Sequence, residues 1–375
     1  MINFISNLPR ELRSGGFSAM NAAACAALAS RHSIDYVGPI DPPVAAWGKA
    51  LSKARRVTGL GGDFTAFSER RLEVIAREVG RLAATDAELD FFHGLTPWIA
   101  THPRRPYAAW SDCTFADYIE IYHDRGRFRA GDLARIEAAE AAWLKSARQA
   151  LFTSDWAAGR AVDRYGLDPA RVGSVGIFGE FEPPDRDAFA GGQGFVFVST
   201  DFRAKGGPVV LAAFRRLRET HPDAALTIVG AAPGDGDAGA GVSYAGYLRK
   251  EVPEEHRRFR EILGGAVGLV HPTRSDIAPL LLVEAAMFGV PAIATRAFAI
   301  PELVRHGETG WLLDDPTDAG EAAAAMRRLL DDLDYRRLRE GAWRHARSEH
   351  GKDRFEARML ASVERALVEA SEAAA

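Results

Sequence analysis

The feature that most constrains this chain is the regular alternation that fills its second half. Four mostly apolar runs, GFVFVS from Gly194, ALTIVG from Ala225, AVGLVH from Ala266 and PAIAT from Pro291, are separated by stretches of helical period. A strand with one wet face alternates apolar and polar residues; a run without alternation is covered on both faces, which is the condition of a parallel sheet with helices on either side. Strands and helices taken in turn therefore predict an α/β domain over about residues 192–350. With 375 residues, 47% of them hydrophobic, the chain has room for a second domain with its own core.

That domain is expected over 1–185. INFISNL predicts a first strand, followed by a loop with Gly15 and Gly16 and then a helix of small residues, the opening of a Rossmann-like unit. The loop is not GxGxxG and does not specify a dinucleotide. SIDYVGPI predicts a second strand, and ERRLEVIAREVGRLAA a helix with Leu72, Ile75, Val79 and Leu82 on one face. ELDFFHGL and RPYAAWSD predict further strands, tipped by His93 and by Ser111 and Asp112. Ligands of open α/β sheets lie beyond the carboxyl ends of strands, so His93 and Asp112 are candidate site residues. A lone His such as His93 is more often a core residue, and a helix N-cap explains Asp112 equally. Ser154 and Gly166 bound a later helix. Pro183, Pro184 and the polar stretch to Gln193 predict a hinge, and a last helix covers about 354–372.

Composition excludes several classes. A formal net charge of −4 offers no general basic surface to nucleic acid. Two cysteines, Cys25 and Cys113, make neither a disulfide framework nor a zinc set, which fits a reducing cytoplasm. Neither a signal pattern at the N-terminus nor an apolar run of membrane-spanning length is found. The basic stretch KALSKARRVTG fits a weak contact with an anionic membrane surface, or simply a solvated face. Asp235 and Asp237 form the one Asp-x-Asp pair considered as a metal motif, and a flexible Gly-rich turn explains it better, so neither a metal nor a cofactor is expected.

Two loops carry the chemistry. In SDIAPLLLVEAAMFGVPAIAT, Asp276 and Glu284 lie eight positions apart, around a helix start at Pro279. The amides of Leu280 and Leu281 fall at the positive end of that helix, an anion site with a carboxylate on either side. Carboxylates there suit hydroxyls, and a nucleotide-sugar presents polyols on both sides of a diphosphate. DFRAKGG, Asp201 to Gly207, follows the first strand of the same domain; Arg203 and Lys205 can meet diphosphate charge, and glycines allow close approach. Gly230, at the tip of ALTIVG, is a further candidate donor contact.

The acid, seven residues, acid, then Gly289, Val290, Pro291 and AIAT resembles the signature of retaining nucleotide-sugar glycosyltransferases of the GT-B kind, family four in particular. The resemblance implies two Rossmann-like domains facing across a cleft, with hexosyl transfer to an acceptor hydroxyl (glycan, lipid-linked or small molecule) and retention of configuration. It implies that Asp276 lies by the donor sugar, that Glu284 holds the ribose, that Lys205 stabilises the leaving diphosphate, that Gly15 and Gly16 approach the phosphates, and that Asp112 faces the sugar. No residue stands out as an enzymatic nucleophile, in keeping with the family's front-face transfer. This sequence departs from the pattern at Asp276, usually Glu, and Pro279, usually Gly; Ser199 and Thr200 also replace the usual Gly-Arg before the lysine. These departures motivate the alternative of a non-catalytic binding or scaffold protein. The donor sugar and base, the acceptor and the oligomeric state are not specified.

Overall fold

The computed structural model describes residues 1–11, 16–182, 184–185, 189–231, 239–333 and 335–374. Gly15, Pro183, Asp235 and Asp237 lie outside the described residues. The chain divides into two compact units, Met1–Ile177 with Phe355–Ala375, and Phe178–Arg354.

In the first unit the elements run β1 (Ile2–Ile5), α1 (Gly16–Ala29), β2 (Ile34–Val37), α2 (Ala46–Val57), α3 (Glu69–Leu82), β3 (Leu89–His93) and β4 (Tyr107–Ser111). They continue with α4 (Phe115–Tyr122), α5 (Ala130–Ser146), β5 (Gln149–Phe152), α6 (Asp155–Tyr165) and β6 (Val172–Ser174). All strands are parallel, in the order β2-β1-β3-β4-β5-β6. β1, β3, β4 and β5 are buried throughout. α3 buries Leu72, Ile75 and Val79, while Leu82, expected on the same face, is 43% exposed as the last residue of the helix. Ser154 caps α6 by accepting from the Ala157 amide, and Gly166 closes it with a φ of 59°.

The second unit runs β7 (Gly194–Ser199), α7 (Gly207–Arg218), β8 (Ala225–Gly230), β9 (Val242–Gly246), α8 (Pro253–Gly264), β10 (Gly268–His271), α9 (Leu280–Met287) and β11 (Ala292–Thr295). α10 (Ile300–Leu303), β12 (Gly310–Leu313), α11 (Ala319–Asp331) and α12 (Tyr335–Glu349) follow, and α13 (Lys352–Ala374) ends the chain. Its sheet is again all parallel, ordered β12-β11-β10-β7-β8-β9. β9 has no continuous apolar run to betray it in the sequence: as the sheet's edge it is only partly covered. Most of α13 belongs to the first unit, where Phe355 packs against Trp110 and Arg31 pairs with Glu364.

The strand order positions the site. β7 lies between β8, which follows it in sequence, and β10, which returns on its other side. The crossovers leave β7 in opposite directions, and the crevice this opens beyond the carboxyl ends of β7 and β10 is where doubly wound sheets bind ligands.

Candidate functional site

Both sequence loops converge on that crevice. The turn after β7 reaches the loop after β10 because Gly206 adopts a φ of 86°, and any side chain there would meet the Pro272 carbonyl at 2.5 Å. Lys205, one residue earlier, is thereby seated against residues 275 and 276. Its Nζ donates to Asp276 Oδ1 at 2.5 Å and to the Ser275 carbonyl at 3.2 Å. The other Asp276 oxygen meets His271 Nε2 at 3.1 Å, and His271, the last residue of β10, is buried. Burial alone would raise the Asp276 carboxyl, but His271 and Lys205 together hold it below the ordinary carboxylate range. It is ionised at neutral pH. Arg203 is exposed and, among the described residues, joins no ion pair, so of the two expected cations only Lys205 reaches the acid.

Pro279 occupies the N-cap of α9, one place before the first helical turn where it was expected, with ψ at 116°. The amides of Leu280 and Leu281 open that turn, where no earlier helical carbonyl exists to accept them. Glu284 lies on the inner face of α9 and is 2% exposed. Its Oε1 accepts a hydrogen bond from Lys250 Nζ, which also donates to Glu180 Oε2 at 3.1 Å. The ammonium lies over the Phe181 ring, 5.2 Å from its centroid. Burial pushes the Glu284 carboxyl above its ordinary range even against the pull of Lys250. Burial likewise opposes the charge on Lys250, but Glu284 and Glu180 outweigh it and raise its affinity for the proton. Gly230 ends β8 with a φ of 99°, and a side chain there would strike the Ser199 carbonyl at 2.1 Å.

Residues 192–332, the segment holding all of these groups except Glu180 and Phe181, match the family model "Glycosyl transferases group 1". That segment, less than half of the chain, is what this chain shares with the family. The D-inositol 3-phosphate glycosyltransferase of Acidothermus cellulolyticus is 29% identical to it over 230 residues, 55% of this chain and 51% of the relative. The chain thus spans about half the length of such curated relatives. Among solved structures, sucrose-phosphate synthase from Thermosynechococcus elongatus aligns with a TM-score of 0.68 at 17% identity, over 98% of this chain and 99% of that one. Anabaena HepE, crystallised in complex with UDP, aligns with a TM-score of 0.64 at 15% identity, over 97% and 99%. The likeness fixes the fold of both units as that of the GT-B glycosyltransferases.

In the first unit, His93 ends β3 with no exposure, between the rings of Phe4 and Trp110. Burial lowers its pKa to about 3, so it stays neutral and does not trade protons near neutral pH. Asp112 follows β4 half-buried. Burial raises its carboxyl, against hydrogen bonds from Ser111 and the local amides. Thr114, not Asp112, caps α4 by accepting from the Asp117 amide, which leaves the Asp112 carboxylate uncommitted to the helix. Gly16 is the first residue of α1. Among the described residues no group of three His, Cys, Asp or Glu gathers as a metal site, and no helix is long and apolar enough to cross a membrane.

Sequence reasoning missed His271, Lys250 and Glu180. His271 was findable, since it tips β10 just as His93 tips β3. Lys250 and Glu180 lie 34 and 104 positions from Glu284 and carry no local signal.

Proposed function

We propose that this chain transfers a hexosyl group from a nucleoside-diphosphate sugar to an acceptor hydroxyl with retention of configuration. The observation that carries the reading is the Lys205–Asp276 pair at the switch point of the matched sheet, four residues before the open helix turn at Leu280. Breaking the glycosidic bond leaves negative charge on the departing diphosphate. Lys205 and the first-turn amides of α9 are the groups able to meet it, in a crevice where preorganised donors gain strength from exclusion of water. Asp276, ionised and fixed by His271, is suited to hold sugar hydroxyls. Glu284 is suited to the ribose. In this reading no divalent metal takes part and the enzyme works in the cytoplasm. HepE's complex with UDP supports a nucleoside diphosphate as the ligand class.

The test is binding and turnover together. A nucleoside-diphosphate sugar at 100 times its Kd should stabilise the chain by about 2.7 kcal/mol in thermal unfolding. Nucleoside diphosphate should then be released faster when a competent acceptor is added. Glu284→Ala should weaken both free nucleoside diphosphate and intact donor; a change confined to acceptor kinetics would refute the ribose role. Donor binding with no release under any acceptor would favour a non-catalytic binding protein.

A further inference from the structure

We infer that the outward face of α2 seats the first unit on an anionic phospholipid surface. The helix is inverted relative to an ordinary surface helix. The side turned to the protein buries only Ser52, whose hydroxyl donates to the Asp63 carbonyl at 2.8 Å. The opposite side carries Trp47, Ala50, Leu51, Ala54 and Val57, all exposed and spaced by three and four residues, so that they form one stripe. Leu60 extends it past the helix end. Trp47 is 64% exposed, Val57 81% and Leu60 73%. Of the eleven exposed large hydrophobic residues among the described ones, four fall between positions 47 and 60, so the exposure is concentrated and not scattered.

Charge decides what covers this stripe. Lys49 and Lys53 flank it on one side, both exposed and, among the described residues, in no ion pair. Beside them lies a hollow of about 580 Å³ bordered by Lys53, Arg56 and Arg127. Its one acidic neighbour, Asp124, is engaged in accepting from the Gly126 amide. A cationic cluster on a chain of net charge −4, set against an apolar stripe with a tryptophan, complements a surface that is negative at headgroup level and apolar just beneath. A water-soluble protein partner would satisfy the stripe but not specifically the unpaired cations. The hollow suits a phosphodiester headgroup, while Trp47 and Leu51 enter the acyl boundary.

The full chain should sediment with vesicles of phosphatidylcholine containing roughly one-third phosphatidylglycerol, and not with phosphatidylcholine alone, at low salt. Binding should fade as salt shortens the screening length to about 3 Å near 1 M. Lys49→Gln with Lys53→Gln should weaken partitioning roughly fivefold per lysine, about twenty-five-fold together. Trp47→Ala with Leu51→Ala should also abolish most of it. Trp47 is the one exposed tryptophan of seven, so the fluorescence difference between wild type and Trp47→Phe should shift to the blue on anionic vesicles. All four positions are exposed, and unchanged thermal unfolding will show that the variants are folded. Equal binding to neutral and anionic vesicles, no binding at low salt, or wild-type binding by the glutamine variant would overturn the proposal. So would concentration-dependent dimers, without lipid, that disappear in Trp47→Ala, Leu51→Ala; the stripe would then be covered by a second copy.

Discussion

Replacing Lys250 with methionine tests how the buried acid of the second unit is tolerated. Methionine keeps the contact with Phe181 but removes the charge shared between Glu284 and Glu180. Stripping one partner from a buried pair costs about 3–5 kcal/mol. The Lys250 side chain is 37% exposed, so solvent screens the pair, and about 2 kcal/mol is the reasonable expectation at neutral pH. For a unit of this size that is a fall in Tm of about 4–8 °C. The dependence on pH is the sharper test. The Glu284 carboxyl is already raised in the fold, so the folded chain holds its proton more tightly than the unfolded chain does. Stability from such a group is present at low pH and lost as pH rises through the folded value. Removing Lys250 moves that value further up. The deficit should therefore be small in mild acid, where Glu284 is protonated, and largest in mild alkali. Lys250→Met combined with Glu284→Gln should recover most of the loss. Thermal unfolding of the three variants across pH measures all of this. An equal deficit at every pH, or no recovery in the double variant, would refute the electrostatic account and leave only packing.

Three further outcomes are expected. Lys205→Ala should lower kcat by roughly a hundredfold or more, as does loss of one electrostatic donor, and unchanged turnover in steady-state assays would remove Lys205 from the reaction. Asp276→Asn, which loses the charge that holds Lys205, should reduce sugar transfer severely, whereas Asp276→Glu, longer by about 1.5 Å, should not improve it, because Lys205 and His271 already fix the shorter acid. Exhaustive chelation should leave transfer intact, and strict dependence of the rate on added Mn²⁺ or Mg²⁺ would contradict the metal-free reading.

What was legible in the sequence follows from how each element is covered. β7, β8, β10 and β11 are mostly apolar, with β10 and β11 buried throughout, and they could be read directly. β9 could not, because a partly exposed edge strand tolerates Ser243 and Tyr244. α12 was not singled out, since YRRLREGAWRHARSE reads as mostly charged. It buries Arg339, which donates to the carbonyls of Ala266 and Phe288 and stacks 4.4 Å from the Phe189 ring centroid. A buried arginine held by backbone carbonyls has no hydropathy signal. The same distinction runs through the site. Lys205 and Asp276 were legible because topology brings strand tips together whatever the side chains. The pairing of Lys250 with Glu284 was not, because it depends on where one long side chain comes to rest.

The close approach that Gly206 allows gives Lys205 a partner inside the protein itself. Lys205 does not wait as a bare cation; its charge is already spoken for by Asp276. A small inorganic anion entering the crevice gains one contested ammonium and meets a carboxylate that repels it. A ligand with hydroxyls beside its phosphates can give Asp276 new partners at the moment it draws Lys205 away. In the proposed reading the pair therefore favours anions that also carry hydroxyls over phosphate or sulfate, which offer charge alone.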